Sequence, residues 1–113
     1  MRAIQHFING KDAPATGGRV GVVFNPNTGA QQAEVAFSSA KTVDAAVQAA
    51  LKAQPGWAAT NPQRRARVMF AFKGLVEKNM EELAHLLSSE HGKVLADARG
   101  DVQRGLEVIE FAC

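Results

Sequence analysis

Residues 30–51 read AQQAEVAFSSAKTVDAAVQAAL, and within them the apolar period changes. Up to Phe37 the pattern alternates, with Ala33, Val35 and Phe37 on one face, which is the signature of a half-buried strand. After Ser38-Ser39 the apolar residues are Val43, Ala46, Val47, Ala50 and Leu51, which share one face of a helix. Ser39 stands at the junction, where its hydroxyl can satisfy a first-turn N–H that the helix leaves unpaired. The switch divides the chain into a β-rich front and a helical remainder.

Working back towards the start, VGVVF predicts a strand at 20–24, and NPNTG after it predicts a turn. Pro26 forces Asn25 into an extended conformation, and Gly29 tolerates positive φ. Residues 13–19, APATGGR, are expected to form a loop. Before it, IQHFING alternates and ends in Asn9-Gly10, a dipeptide suited to a two-residue hairpin turn. The expectation is a small antiparallel β unit over about 4–37.

Working forward, three helices are expected. The first runs over about 40–53 and ends at Gln54-Pro55-Gly56. That places Trp57 between helices, as a packing anchor under a loop. The second covers about 62–89, opened by an Asn61 cap with Pro62 at the first helical position, where its missing N–H costs nothing. Its apolar stripe is Val68, Phe72, Leu75, Val76, Leu83, Leu86 and Leu87. Gly92 is the expected C-cap. The third helix covers about 94–113, with Leu95, Ala98, Val102, Leu106, Ile109 and Cys113 along one stripe and Val108 and Phe111 on a second apolar face. The fold class is therefore an α+β segment. The last helix meets no glycine, asparagine or proline stop at Phe111-Ala112-Cys113, so the polypeptide is expected to continue and the chain to be the N-terminal piece of a larger protein.

Composition excludes little. Among 113 residues, 46% are apolar and 21% charged, which is ordinary for a globular protein. The net charge of +2 makes a weak field, so neither nucleic acid nor a membrane is expected as a partner. The basic run Arg64-Arg65-Ala66-Arg67 opens an amphipathic helix without interleaved aromatics and reads as a solvated face. A single cysteine forbids an intrachain disulfide and fits a reducing compartment. MRAIQHFING resembles neither a secretory signal nor a transit peptide, so a cytoplasmic location is expected. No glycine-rich loop carries the dinucleotide spacing, and His6, His85 and His91 lack metal-ligand spacing. No catalytic, cofactor-binding or metal-binding residue is assigned. His91 and Lys93 read as structural, Lys93 as a capping or interdomain residue.

The order of short stretches carries more than any single motif. FING, FNPNTGA, AEVAFSSAKTVDAAVQAA, WAATNPQRRARVMF and SSEHGK follow one another along nearly the whole chain. In this order they resemble the N-terminal region of the aldehyde dehydrogenase superfamily. The closing EHGKVLADARGDVQRGLEVIEFAC is similar to the methylmalonate-semialdehyde dehydrogenase branch. The resemblance implies a homo-oligomeric parent that oxidises methylmalonate or malonate semialdehyde with NAD and releases propionyl- or acetyl-CoA through a cysteine thioester, in valine and inositol breakdown. It implies that residues 1–113 form part of the NAD-binding domain with the start of the oligomerisation strands. The catalytic domain, the catalytic cysteine and the cofactor glycines would lie further along. The segment alone is then expected to be inactive, to bind no cofactor, and to self-associate through uncovered apolar faces. Cys113, in EFAC on a helix, reads as a small apolar core residue instead of the nucleophile.

The resemblance transfers one role, to Arg104. In this branch an arginine of the DV-x-RG helix holds the substrate carboxylate, and a guanidinium suits that task because it offers two parallel hydrogen bonds. Gly100 and Gly105 could leave room for a small ligand. The plain alternative is a surface ion pair with Asp101 or Glu107, worth about 0.3–0.5 kcal/mol. Two further readings of the whole chain stay open: another aldehyde dehydrogenase branch, and a non-catalytic helical interaction module.

Overall fold

The computed structural model describes residues 1–14 and 18–113, which divide into two compact units, Met1–Ala59 and Thr60–Cys113. Part of the loop expected over 13–19 lies outside the described residues. The first unit holds β1 (Arg2–Ile4), β2 (His6–Ile8), β3 (Lys11–Ala13), β4 (Val20–Phe24), β5 (Gln31–Ala36) and α1 (Ala40–Ala59). The second holds α2 (Pro62–Lys78), α3 (Met80–His91) and α4 (Leu95–Phe111). The class is α+β, as the change of period requires.

Backbone turns build the first unit. Asn9 and Gly10 take φ of 54° and 76°, the mirror-image turn that matches strand twist, and β2 pairs antiparallel with β3 from His6↔Ala13 to Ile8↔Lys11. Between β4 and β5, Asn25 Oδ1 accepts from the Asn27 and Thr28 N–H groups at 2.9 and 3.2 Å. The Asn25 N–H closes the turn on the Ala30 carbonyl at 2.7 Å, while Gly29 supplies φ of 72°.

The sheet itself corrects the antiparallel expectation. β5 lies in the middle, antiparallel to β4 but parallel to β1, with Arg2↔Ala33 and Ile4↔Val35 in register. IQHFING is also not one strand, because Gln5 separates β1 from β2 and the two join different sheets. Turn chemistry specifies a hairpin, but no local signal tells a three-residue strand which edge to join. Ala33, paired on both sides, is buried, whereas Phe37 is 48% exposed and lies under the Arg19 guanidinium at 5.4 Å.

Two helix boundaries differ from the sequence reading. Ser39 caps α1, its Oγ accepting from the Thr42 N–H at 3.1 Å, but the helix continues through Pro55 to Ala59. A proline removes one ladder hydrogen bond, at about 3 kcal/mol, yet leaves the following residues free to remain helical. The firm stop is Pro62, which holds Asn61 extended at φ −51°, ψ 135°. Trp57 accordingly sits on the helix, 47% exposed, and not beneath a loop. The expected helix over 62–89 divides at Asn79, whose φ of −105° and ψ of 16° leave the helical basin. Asn79 Nδ2 donates to the Leu75 carbonyl at 2.7 Å, and this side-chain bond competes with the backbone ladder. The unit therefore has three helices where the sequence suggested two.

The helical unit centres on α4. Ala98 and Leu106 are buried, and Leu95, Val102, Ile109 and Cys113 are half-buried, so the expected stripe is the covered one. Val108 and Phe111, on the second apolar face, are 69% and 95% exposed. On α2 the covered side is Arg65, Ala66, Met69, Lys73 and Val76, about one residue round from the expected stripe. Val68, Phe72 and Leu75 remain exposed, and Phe72, Leu75, Val76, Leu83 and Leu86 line an apolar groove.

Candidate functional site

Arg104 stands in the third turn of α4, exposed, and the packed stripe explains why. Val102 and Leu106 face the neighbouring helices, which rotates Arg104 about 200° away from Val102 along a 100° per residue helix. Its helix-surface neighbours are Gly100, Asp101, Glu107 and Val108. A Cβ placed on either Gly100 or Gly105 would meet nothing within 4 Å, so the surface beside the guanidinium is open. Among the described residues Arg104 makes no hydrogen bond or ion pair.

The surface ion pair weighed for Arg104 is therefore absent, and its best candidate partner is engaged elsewhere. The Asp101 carboxylate is bound by the Lys93 ammonium. That hydrogen bond holds Asp101 below the usual carboxylate range, ahead of the weaker attractions of His91 and Arg104. Lys93 is presented by a well-defined turn. Gly92 takes φ of 84°, its N–H donates to the Ser88 carbonyl at 2.8 Å, and the Ser88 hydroxyl donates to the Lys93 carbonyl at 2.7 Å. Sequence reading marked the turn but missed this pairing, which spans eight residues and a helix boundary.

A second ion pair ties α3 to α4. Arg99 grips Glu81 with two N–H groups, Nε and Nη2 each at 2.8 Å from a carboxylate oxygen. The hydrogen bond from Arg99 lowers the Glu81 pKa, and its partner raises that of Arg99. Of the four charged α4 residues from Asp97 to Arg104, Arg99 and Asp101 are thus paired, and among the described residues Asp97 and Arg104 are not.

The other singled-out residues take structural places. Cys113 is half-buried and its thiol donates to the Ile109 carbonyl at 3.3 Å, as a small residue in a helix seam does. Arg65 does not belong to a solvated face, since it is half-buried and its Nε has no hydrogen-bond partner. Among the described residues no three His, Cys, Asp or Glu side chains converge as metal ligands. Among the described residues no helix is long and apolar enough to cross a membrane.

Comparison with known proteins supplies the frame for this geometry. The sequence profile of the aldehyde dehydrogenase family matches residues 14–113. A malonate-semialdehyde dehydrogenase from Pseudomonas aeruginosa is 43% identical over all 113 residues, which make up 22% of its length. The crystal structure of a methylmalonate-semialdehyde dehydrogenase from Oceanimonas doudoroffii superposes with a TM-score of 0.96 at 45% identity, over 100% of this chain and 23% of that one. A Sinorhizobium meliloti protein assigned as a methylmalonate-semialdehyde dehydrogenase, solved with NAD, gives 0.95 at 56% identity over 98% and 23%. The chain thus spans less than a quarter of the length of these relatives.

Proposed function

Because this chain belongs to the aldehyde dehydrogenase family, we propose that it forms the N-terminal part of an NAD-dependent, CoA-acylating dehydrogenase for methylmalonate or malonate semialdehyde. The segment contributes part of the NAD-binding domain and the first oligomerisation strands of a homo-oligomer. The malonate- and methylmalonate-semialdehyde dehydrogenases among its relatives support this substrate class. NAD accepts hydride in such enzymes. No described residue of this segment forms a strand, glycine loop and helix cradle for a pyrophosphate, so none is assigned a cofactor contact. A cysteine elsewhere in the polypeptide attacks the aldehyde carbon, which gives up its hydride; the carboxylate leaves as CO2, and the remaining acyl group passes from the cysteine to the thiol of CoA.

The role of this segment in that chemistry is to hold the substrate by its carboxylate. The observation that carries the reading is an exposed Arg104 guanidinium that, among the described residues, has no ion pair, on a surface left open by Gly100 and Gly105, while its neighbour Asp101 is bound by Lys93. A carboxylate docked on Arg104 fixes the small semialdehyde at one end, so that its aldehyde carbon is offered in a constant orientation. In the full-length enzyme, Arg104→Ala is expected to lower kcat/KM for malonate semialdehyde by about 100-fold more than for propanal, the loss of two charge-assisted hydrogen bonds. Equal losses on both aldehydes would point to another branch of the family and remove the clamp.

A further inference from the structure

We infer that Lys93 is a positioning residue for the carboxylate clamp: by holding Asp101 it keeps the Arg104 guanidinium unpaired and available to substrate. The inference rests on the reading of Arg104 as the clamp.

The physical problem is competition. A guanidinium that must bind a small carboxylate is weakened by any carboxylate of its own helix within reach. Only residues three or four positions away can reach it, and these are Gly100, Asp101, Glu107 and Val108. Two carry carboxylates. An acid N-terminal to its basic partner is the favoured order on a helix, and the reverse order is weaker. Asp101 is therefore the stronger competitor and Glu107 the weaker one.

The structure removes the stronger competitor. Lys93 binds Asp101 across the α3–α4 turn, while Arg104, three residues on, makes no ion pair. Lys93 can do this because its backbone is held in place. Gly92 turns the chain with φ of 84°, and the Ser88 hydroxyl donates to the Lys93 carbonyl. The lysine side chain is 22% exposed and Asp101 47%, so the pair lies at the edge of the packed surface, less screened than one free in solvent. Losing the Lys93 charge would return Asp101 to Arg104.

The test uses steady-state kinetics of the full-length enzyme with malonate semialdehyde and with propanal, and reads the ratio of the two KM values. Lys93→Met is expected to raise that ratio about twofold, the factor an ion pair of helix-surface strength would withhold from the substrate. Adding Asp101→Asn to Lys93→Met should return the ratio to that of the parent enzyme, because the competitor is then gone. Lys93→Gln is measured alongside, so that a folding defect in one variant leaves the other to decide. A Lys93 that merely supported the turn would shift both KM values together, and the double variant would remain impaired; either result overturns the inference. If Arg104→Ala fails to distinguish the two aldehydes, the clamp itself falls. If Arg104→Ala distinguishes them and the Lys93 variants do not, only the role of Lys93 is lost.

Discussion

Residues 1–59 and 60–113 are held by different kinds of interaction. In the first, order comes from backbone geometry: positive φ at Asn9, Gly10 and Gly29, an Asn25 side chain closing its own turn, and strand pairing around one buried alanine, Ala33. In the second, order comes from side chains far apart in sequence. Ala84, Ala98 and Leu106 are its buried apolar residues, Arg99–Glu81 bridges α3 and α4, and Lys93–Asp101 ties the turn between them to α4. The contrast teaches that local turns can specify a β unit with almost no core. A set of amphipathic helices needs its contacts to decide even which face is inside.

The largest expected effect falls on the helical unit. Leu106 is 3% exposed, and Leu106→Ala should cost about 2–4 kcal/mol, read from the urea midpoint of helix loss by circular dichroism. A loss under about 1 kcal/mol would mean that α4 is not the centre of its unit. Next come two of the three described glycines held at positive φ, one taken from each unit. Gly29→Ala and Gly92→Ala should each cost about 1–2 kcal/mol, because an L side chain is strained there regardless of packing. If only Gly92→Ala destabilises, the turn chemistry credited to the β unit is overstated.

The smallest effect is electrostatic and belongs to the helical unit alone. Arg99 lowers Glu81 below its ordinary value near 4.5, and Lys93 lowers Asp101 below its ordinary value near 3.8. Carboxyls depressed on folding stabilise the folded state above their unfolded pKa, and the contribution disappears as pH falls through the folded value. Acid titration should therefore weaken the helical unit from just below pH 4.5 downwards, and Glu81→Gln should flatten that dependence. Both pairs are exposed to solvent, so raising the salt should blunt the same slope. A slope unchanged by Glu81→Gln would mean that the pair does not persist in solution.

The candidate site divides along the same line. That Arg104 sits on a helix, and that Asp101 and Glu107 flank it, follows from spacing alone. Which of these charges pair does not, because Lys93 reaches Asp101 only once Gly92 has turned the chain back on itself. The apolar residues of α2 illustrate the limit again. Periodicity marked Val68, Phe72 and Leu75 as one apolar stripe, yet these three are exposed and the covered side of α2 carries Met69 and Val76 with two basic residues, Arg65 and Lys73.

Apart from the break at Asn79, the amino-acid sequence was sufficient wherever a residue acts on neighbours within four or five positions. The Asn9-Gly10 and Asn25–Ala30 turns, the Ser39 and Asn61 caps, the Gly92 stop and the α4 stripe all satisfy backbone groups or periodicities internal to one element. The parallel pairing of β1 with β5, the passage of α1 through Pro55 and the capture of Asp101 by Lys93 were decided by tertiary structure. Each of these depends on a comparison of free energies between alternative contacts, and the losing alternative is equally compatible with the local sequence.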